Sequence, residues 1–144
     1  VTFGGRDGTV QVVDHEGNLR FVLRTADQIT GLAVADLDND GDEELIVASA
    51  INYVYAVKAD GSTIWRAPTD DTPRHLLVSA SKSGAPEMVV VEDGGAVLRL
   101  GSDGNVSGSL NIGGSARAVA IAPVEGGRQL VASLPKSGLK AWKL

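Results

Sequence analysis

Five acidic residues crowd one short stretch of the chain: Asp36, Asp38, Asp40, Asp42 and Glu44, with Gly41 among them. Counted from Asp36, side-chain oxygens fall at positions 1, 3, 5 and 9, and the glycine at position 6. Carboxylates this close repel one another unless a cation compensates them. A hard cation such as Ca2+ takes about six to eight oxygen ligands at about 2.3–2.6 Å and imposes no strict geometry. Asp36, Asp38 and Asp40 can converge on such an ion only if the backbone wraps tightly, and Gly41 allows the bend. Asp42 is expected to supply its backbone carbonyl, and Glu44 to close the site. The expected ion is structural, since a catalytic metal needs an open coordination position and a nearby base.

An EF-hand loop begins the same way, but it needs a bidentate Glu at position 12 and two flanking helices. Position 12 here is Val47, inside an apolar run that reads as a strand. The loop must therefore join two strands.

The elements around it repeat. Val10, Val54 and Val97 each open an alternating segment that ends in a turn with Gly17, Gly61 or Gly104. Those glycines are 44 and 43 residues apart, and Asn18, Ser62 or Asn105 follows each one. A second series, Glu44, Glu87 and Gln129, each opening an apolar run, recurs at 43 and 42 residues. Two independent landmarks with one period define a real repeat of about 43 residues. In the best copy the expected strands cover residues 30–35, 44–50, 53–58 and 63–67. No stretch carries helical periodicity.

Four antiparallel strands in about 43 residues make the blade of a β-propeller. A β-sandwich would not repeat at this period, and a β-helix coil is shorter. Small residues (Gly31, Ala33, Ala35; Ala116, Ala118, Ala120) suit the crowded innermost strand. The expected fold is thus an all-β partial propeller of about 3.5 blades, read BCD-ABCD-ABCD-ABC from the axis outward. Its blades span approximately residues 1–28 (partial), 29–71, 72–114 and 115–144 (partial). Closed propellers have at least about four blades, so self-association through the open blade edges is expected.

Composition narrows the function. The chain has 144 residues, 43% of them hydrophobic and 22% charged, as in a folded soluble domain. The net charge of −5 and the lack of a Lys/Arg cluster argue against a nucleic-acid partner. No apolar run approaches the ~20 residues of a membrane span, so membrane insertion is not expected. There are no cysteines, which excludes disulfides and thiolate chemistry. The chain opens at Val1 on an alternating stretch, without an initiator Met, so a fragment or a processed chain is expected.

Residues 31–47, with Asp36, Asp38, Asp40, Gly41, Asp42 and Glu44 in order, resemble the FG-GAP/VCBS repeat of integrin-α-type propellers. That resemblance implies Ca2+ held in the loop between the first two strands of a blade. In the next repeat Ser79, Ser81 and Ser83 stand in place of the acids, with Gly84 and Glu87 kept. In the one after stand Ile121, Pro123 and Glu125. Neither loop is expected to hold an ion tightly. Residues 53–65, from Tyr53 through Asp60 and Gly61 to Trp65, are similar to quinoprotein-like repeats, in which the Trp packs between blades. The quinone-dependent dehydrogenases also use a vicinal cysteine pair, absent here, so the similarity supports the fold and not the redox chemistry.

No catalytic set assembles from the remaining residues. His15 falls in a turn and His75 in a first strand, without Ser/His/Asp spacing. The Gly4–Gly5, Gly94–Gly95 and Gly113–Gly114 pairs lack the strand–GxGxxG–helix setting of a phosphate site. Trp65, Trp142, Tyr53 and Tyr55 are expected at blade interfaces. The function expected is a non-enzymatic, calcium-binding scaffold that presents loops to a protein or glycan ligand. The alternative is the propeller portion of a secreted enzyme, polysaccharide-degrading or quinoprotein-like, whose catalytic residues lie outside this chain. Calcium modules of low affinity suit exported proteins, so an extracellular or periplasmic location is expected.

Overall fold

A computed structural model of the chain describes residues 1–80 and 84–144. The described residues form strands and turns with no α-helix, and no helix is long and apolar enough to cross a membrane. The first sheet holds β1 (Thr2–Gly4), β2 (Thr9–Val13) and β3 (Leu19–Arg24). The second holds β4 (Ile29–Ala35), β5 (Glu44–Ser49), β6 (Tyr53–Val57) and β7 (Thr63–Pro68). The third holds β8 (Pro73–Ala80), β9 (Pro86–Glu92), β10 (Ala96–Leu100) and β11 (Val106–Asn111). The fourth holds β12 (Ala118–Val124), β13 (Gly127–Leu134) and β14 (Gly138–Lys143). Each sheet is an antiparallel meander in chain order, so the fold is an open arc of a β-propeller.

Three seams hold the arc together. Residues alternate between the two faces of a strand, so each interior sheet sends one set of side chains backward and the other forward. In β5, Leu45 and Val47 pack on Val10 of the first sheet, while Ile46 and Ala48 join Met88 and Val90 of the third. In β9, Val89 and Val91 instead join Leu130 and Ala132 of the fourth. The central strands β5 and β9 are therefore apolar on both faces, whereas β7 and β11 at the outer rim alternate. Burying each such Val, Leu or Ile contributes about 1.5–3 kcal/mol.

The innermost strands are the most crowded. A Cβ added at Gly31 in β4 would lie 2.9 Å from the Cβ of Leu76 in β8. Crowding also explains the glycine of the turn between the third and fourth strands. Gly61 and Gly104 take φ of +88° and +79°, and each lies under an aromatic ring from the preceding sheet, Phe21 and Trp65 respectively. The Trp65 indole N–H also donates to the Ser102 carbonyl at 2.8 Å. Phe21 stands 44 residues before Trp65, and both pair with their third strand in the same way, Phe21 opposite Val12 and Trp65 opposite Ala56.

Candidate metal centre

The acidic loop joins β4 to β5, at the end of the second sheet where Ala35 pairs with Glu44. Both residues that bend it have left-handed backbones, Asn39 with φ 59° and Gly41 with φ 94°. Nothing lies within 4 Å of a Cβ placed on Gly41, so its backbone angle alone selects glycine. The carboxylates then organise the loop by accepting its amides. Asp36 takes the N–H of Asp40 and of Gly41, at 3.2 and 3.0 Å, one on each oxygen. Asp38 also accepts from Asp40 N–H at 3.2 Å, and Asp40 accepts from Asp42 N–H at 2.8 Å.

These bonds bring Asp36, Asp38 and Asp40 together, with one oxygen from each within 4.8 Å of the others. Two ligands of one calcium ion can be no more than about 5 Å apart, twice the usual Ca–O distance. The three carboxylates therefore fit a single hard cation. Asp38 and Asp40 are solvent-exposed and Asp36 is half-buried. Among the described residues none of the three is paired with a Lys, Arg or His side chain.

The other two acids are placed differently. Asp42 is exposed and its side chain lies outside the cluster. Glu44 is only 3% exposed, and its Oε2 accepts the Leu37 N–H at 2.8 Å. Glu44 thus clamps the start of the loop to its end. A cleft of about 420 Å3 opens beside it, lined by Leu37, Asp38, Asn39, Glu44, Ile64, Ser102 and Asp103.

The third sheet shows what the same position becomes without the acids. Ser79 and Glu87 are paired across β8 and β9, as Ala35 and Glu44 are across β4 and β5, so Ser79 takes the place of Ala35 and not, as the sequence spacing suggested, that of Asp36. Ser81 and Ser83 lie outside the described residues. Between Ser79 and Glu87 enters Arg128 from β13 of the next sheet. Its Nη1 donates to Ser79 Oγ at 2.8 Å and its Nη2 to Glu87 Oε2 at 2.7 Å. Ser107 Oγ donates to the other Glu87 oxygen at 2.9 Å, and Arg99 stands 4.0 Å away. A guanidinium neutralises the carboxylate there, and sequence reasoning missed it. Only the tertiary fold joins residues 41 and 49 positions apart.

A further acid was also missed. Glu92, at the end of β9, is 1% exposed and accepts the Asp70 N–H at 3.1 Å, holding the crossover between the second and third sheets. Burial raises its pKa, reinforced by the charges of Asp70 and Asp71 and opposed by the Asp70 and Asp71 amides. The signal was present as a carboxylate closing the apolar run Met88–Val91. The turn aspartates move the other way. Asp14 is lowered by the Asn18 amide, Asp60 by the Ser62 hydroxyl and Asp103 by the Asn105 amide.

The histidines stay apart from this loop and from each other. His15 is an exposed turn residue 3.8 Å from Glu16, while His75 Nε2 lies 3.0 Å from the Ala116 carbonyl, tying β8 to the segment before β12. Tyr53 and Tyr55 lie side by side with ring centres 6.0 Å apart, and Arg66 sits 5.6 Å over the Tyr53 ring.

With this geometry established, comparison with known proteins bears on the fold and the family. The family model described as the lambda-carrageenase beta-propeller domain matches residues 4–108. No curated protein sequence matches the chain. Among solved structures, the crystal structure of BBS1N in complex with ARL6DN, soaked with mercury, is similar at a TM-score of 0.80 and 16% identity. The computationally designed Ika8 protein is similar at a TM-score of 0.72 and 15% identity. Each alignment covers 99% of this chain, and the chain spans 42% of the length of either structure. At such identities the likeness shows the fold alone.

Proposed function

The chain belongs to the lambda-carrageenase beta-propeller domain family, and on that premise we propose that it is a non-catalytic, calcium-stiffened propeller module of a secreted polysaccharide-degrading protein. In this reading Asp36, Asp38 and Asp40 hold the ion through their carboxylates, and Asp42 adds its backbone carbonyl. Glu44 holds the loop in shape through Leu37 and turns its remaining oxygen toward the ion. The module presents rigid loops to a glycan, and bond cleavage belongs to other parts of the protein. The loop is of FG-GAP/VCBS type set within a blade of this family. The strand–turn–Trp segment from Tyr53 to Trp65 has quinoprotein-like form without the redox chemistry.

One observation carries the proposal: three carboxylates, with no cationic side chain paired to them among the described residues, converge within 4.8 Å on a chain of a carrageenase-related family. The ion would supply charge compensation and order in the loop. Extracellular calcium modules bind at about 10⁻⁴–10⁻³ M, which matches an extracellular or periplasmic setting.

Affinity electrophoresis through gels with and without lambda-carrageenan tests the glycan role, alongside a reducing-end assay on the same polysaccharide. The chain is expected to be retarded by the polysaccharide and to release no reducing ends. Release of reducing ends by this chain would overturn the non-catalytic role. Unretarded migration in millimolar calcium would overturn the glycan role.

A further inference from the structure

Two tyrosines and an arginine share the face of the second sheet that is turned toward the first. Cross-strand pairing sets Val47, Tyr55 and Arg66 in one row and Ser49, Tyr53 and Pro68 in the next. Val47 and Tyr55 pack on the first sheet, and alternation points both rows the same way. Toward the outer rim this face opens to solvent: Tyr53 and Tyr55 are half-buried and Arg66 is exposed. The two ring centres lie 6.0 Å apart, and the guanidinium stands 5.6 Å from the centre of the Tyr53 ring. Among the described residues no carboxylate pairs with Arg66.

Packing of the blades does not require this trio. The repeat sets Ala96, Leu98 and Ser109 at the same positions of the third sheet, and Thr9, Gln11 and Val22 at those of the first. Leu98 packs against the second sheet with an aliphatic side chain alone. Tyr and Arg are enriched where proteins recognise ligands, because each joins a broad flat body to a hydrogen-bonding tip.

The trio also stands away from most of the acids. The loops at the opposite end of the sheets hold two acidic residues in 14–18, five in 36–43 and one each in 58–62, 101–105 and 125–126. Tyr53 instead follows the turn at 50–52, and its partner Ser49 lies at the far end of β5 from Glu44. That is about 16 Å at the usual strand rise, beyond the Debye length of about 8–10 Å. At the near end Asp93 is held by Arg74 and Ser115, and Asp71 by the Thr72 and Gly94 amides.

We propose that Tyr53, Tyr55 and Arg66 form the subsite that takes a sulfated sugar residue of a galactan, an assignment that rests on the glycan role proposed above. The C–H face of a sugar ring stacks on a tyrosine, whose ring face carries the negative part of its quadrupole. Arg66 offers its planar N–H fork to the sulfate oxygens, as guanidinium does to phosphate and carboxylate. Its contact with Tyr53 holds the guanidinium beside the stacking surface before the sugar arrives. Stacking thus gives affinity for the ring, and Arg66 gives the preference for a sulfated one.

Affinity electrophoresis through gels of lambda-carrageenan and of the same polymer chemically desulfated tests the subsite, each mobility being referred to a gel without polysaccharide. The wild type is expected to bind the sulfated polymer about tenfold more tightly. Arg66→Gln is expected to weaken binding of the sulfated polymer about tenfold and to leave the desulfated one unchanged. Tyr53→Leu is expected to weaken both by about fivefold. Lys58→Gln removes the same charge from an exposed position in the acid-rich turn at 58–62, and is expected to change neither by more than about twofold. Arg66→Gln binding as tightly as the wild type, or Lys58→Gln losing as much as Arg66→Gln, would overturn the subsite and leave the glycan role standing. A wild type retarded by neither polymer would overturn both. Arg66 is exposed, so the arginine result holds even if Tyr53→Leu fails to fold.

Discussion

Trp65 roofs Gly104: an added Cβ on that glycine would sit 2.6 Å from the indole ring, whose N–H reaches the Ser102 carbonyl at 2.8 Å. One aromatic side chain of the second sheet thereby fixes the last turn of the third. Phe21 does the same over Gly61 without a hydrogen bond to offer. In the third sheet Gly108 lies at the corresponding position, opposite Arg99, and the guanidinium of Arg99 covers it.

Gly104→Ala is accordingly expected to destabilise the fold by about 2 kcal/mol or more, since it combines a left-handed backbone with a steric clash. Trp65→Phe keeps most of the apolar area and is expected to lose about 1 kcal/mol with the hydrogen bond. Urea denaturation of both variants checks the order. A Gly104→Ala variant as stable as the wild type would contradict the packing described.

Arg128→Ala leaves Glu87 buried without its close cation. Breaking such a pair from one side costs about 3 kcal/mol, and the loss is expected to be the same in calcium and in chelator. Glu87→Gln in the Arg128→Ala background is expected to recover part of it. The comparison is a double-mutant cycle by thermal melting, and additivity of the two substitutions would argue against direct coupling.

Glu92 sets a pH dependence of known sign. Its folded pKa is raised, so the folded state holds the proton more tightly than the unfolded chain. The stability this contributes is present below the ordinary glutamate pKa and lost as pH rises through the raised folded value. Asp14, Asp60 and Asp103 act oppositely, losing stability as pH falls through their lowered folded values. Subtracting the melting profile of Glu92→Gln from that of the wild type isolates the first effect. The difference is expected to turn against the wild type as pH rises from 4 to 7, with Gln retaining an acceptor for the Asp70 amide. A flat difference would mean that burial does not perturb Glu92.

Much of this architecture was legible in the residues because a period of about 43 constrains every copy at once. The strands expected at 30–35, 44–50, 53–58 and 63–67 form within one residue of those bounds at either end. The approach of Asp36, Asp38 and Asp40 could also be anticipated, since alternate residues around a glycine bend are local neighbours. Phe21 was within reach, lying one repeat before Trp65, but a change of residue type hid it. The Glu44 contact to Leu37 and the entry of Arg128 between Ser79 and Glu87 were not legible. They depend on side-chain reach and on the stacking of separate sheets, which strand spacing does not encode. The burial of Glu92 has the same cause, because a crossover loop covers it from another sheet.

The most direct test of the account is isothermal titration of the chelator-treated chain with CaCl2, paired with melting at each calcium concentration. The account predicts one site with a Kd of about 10⁻⁴–10⁻³ M. It also predicts stabilisation approaching about 2.7 kcal/mol at a hundredfold excess over Kd, with both signals abolished by Asp38→Ala. Absence of heat together with an unchanged melting temperature in millimolar calcium, or undiminished binding by the Asp38→Ala variant, would contradict it.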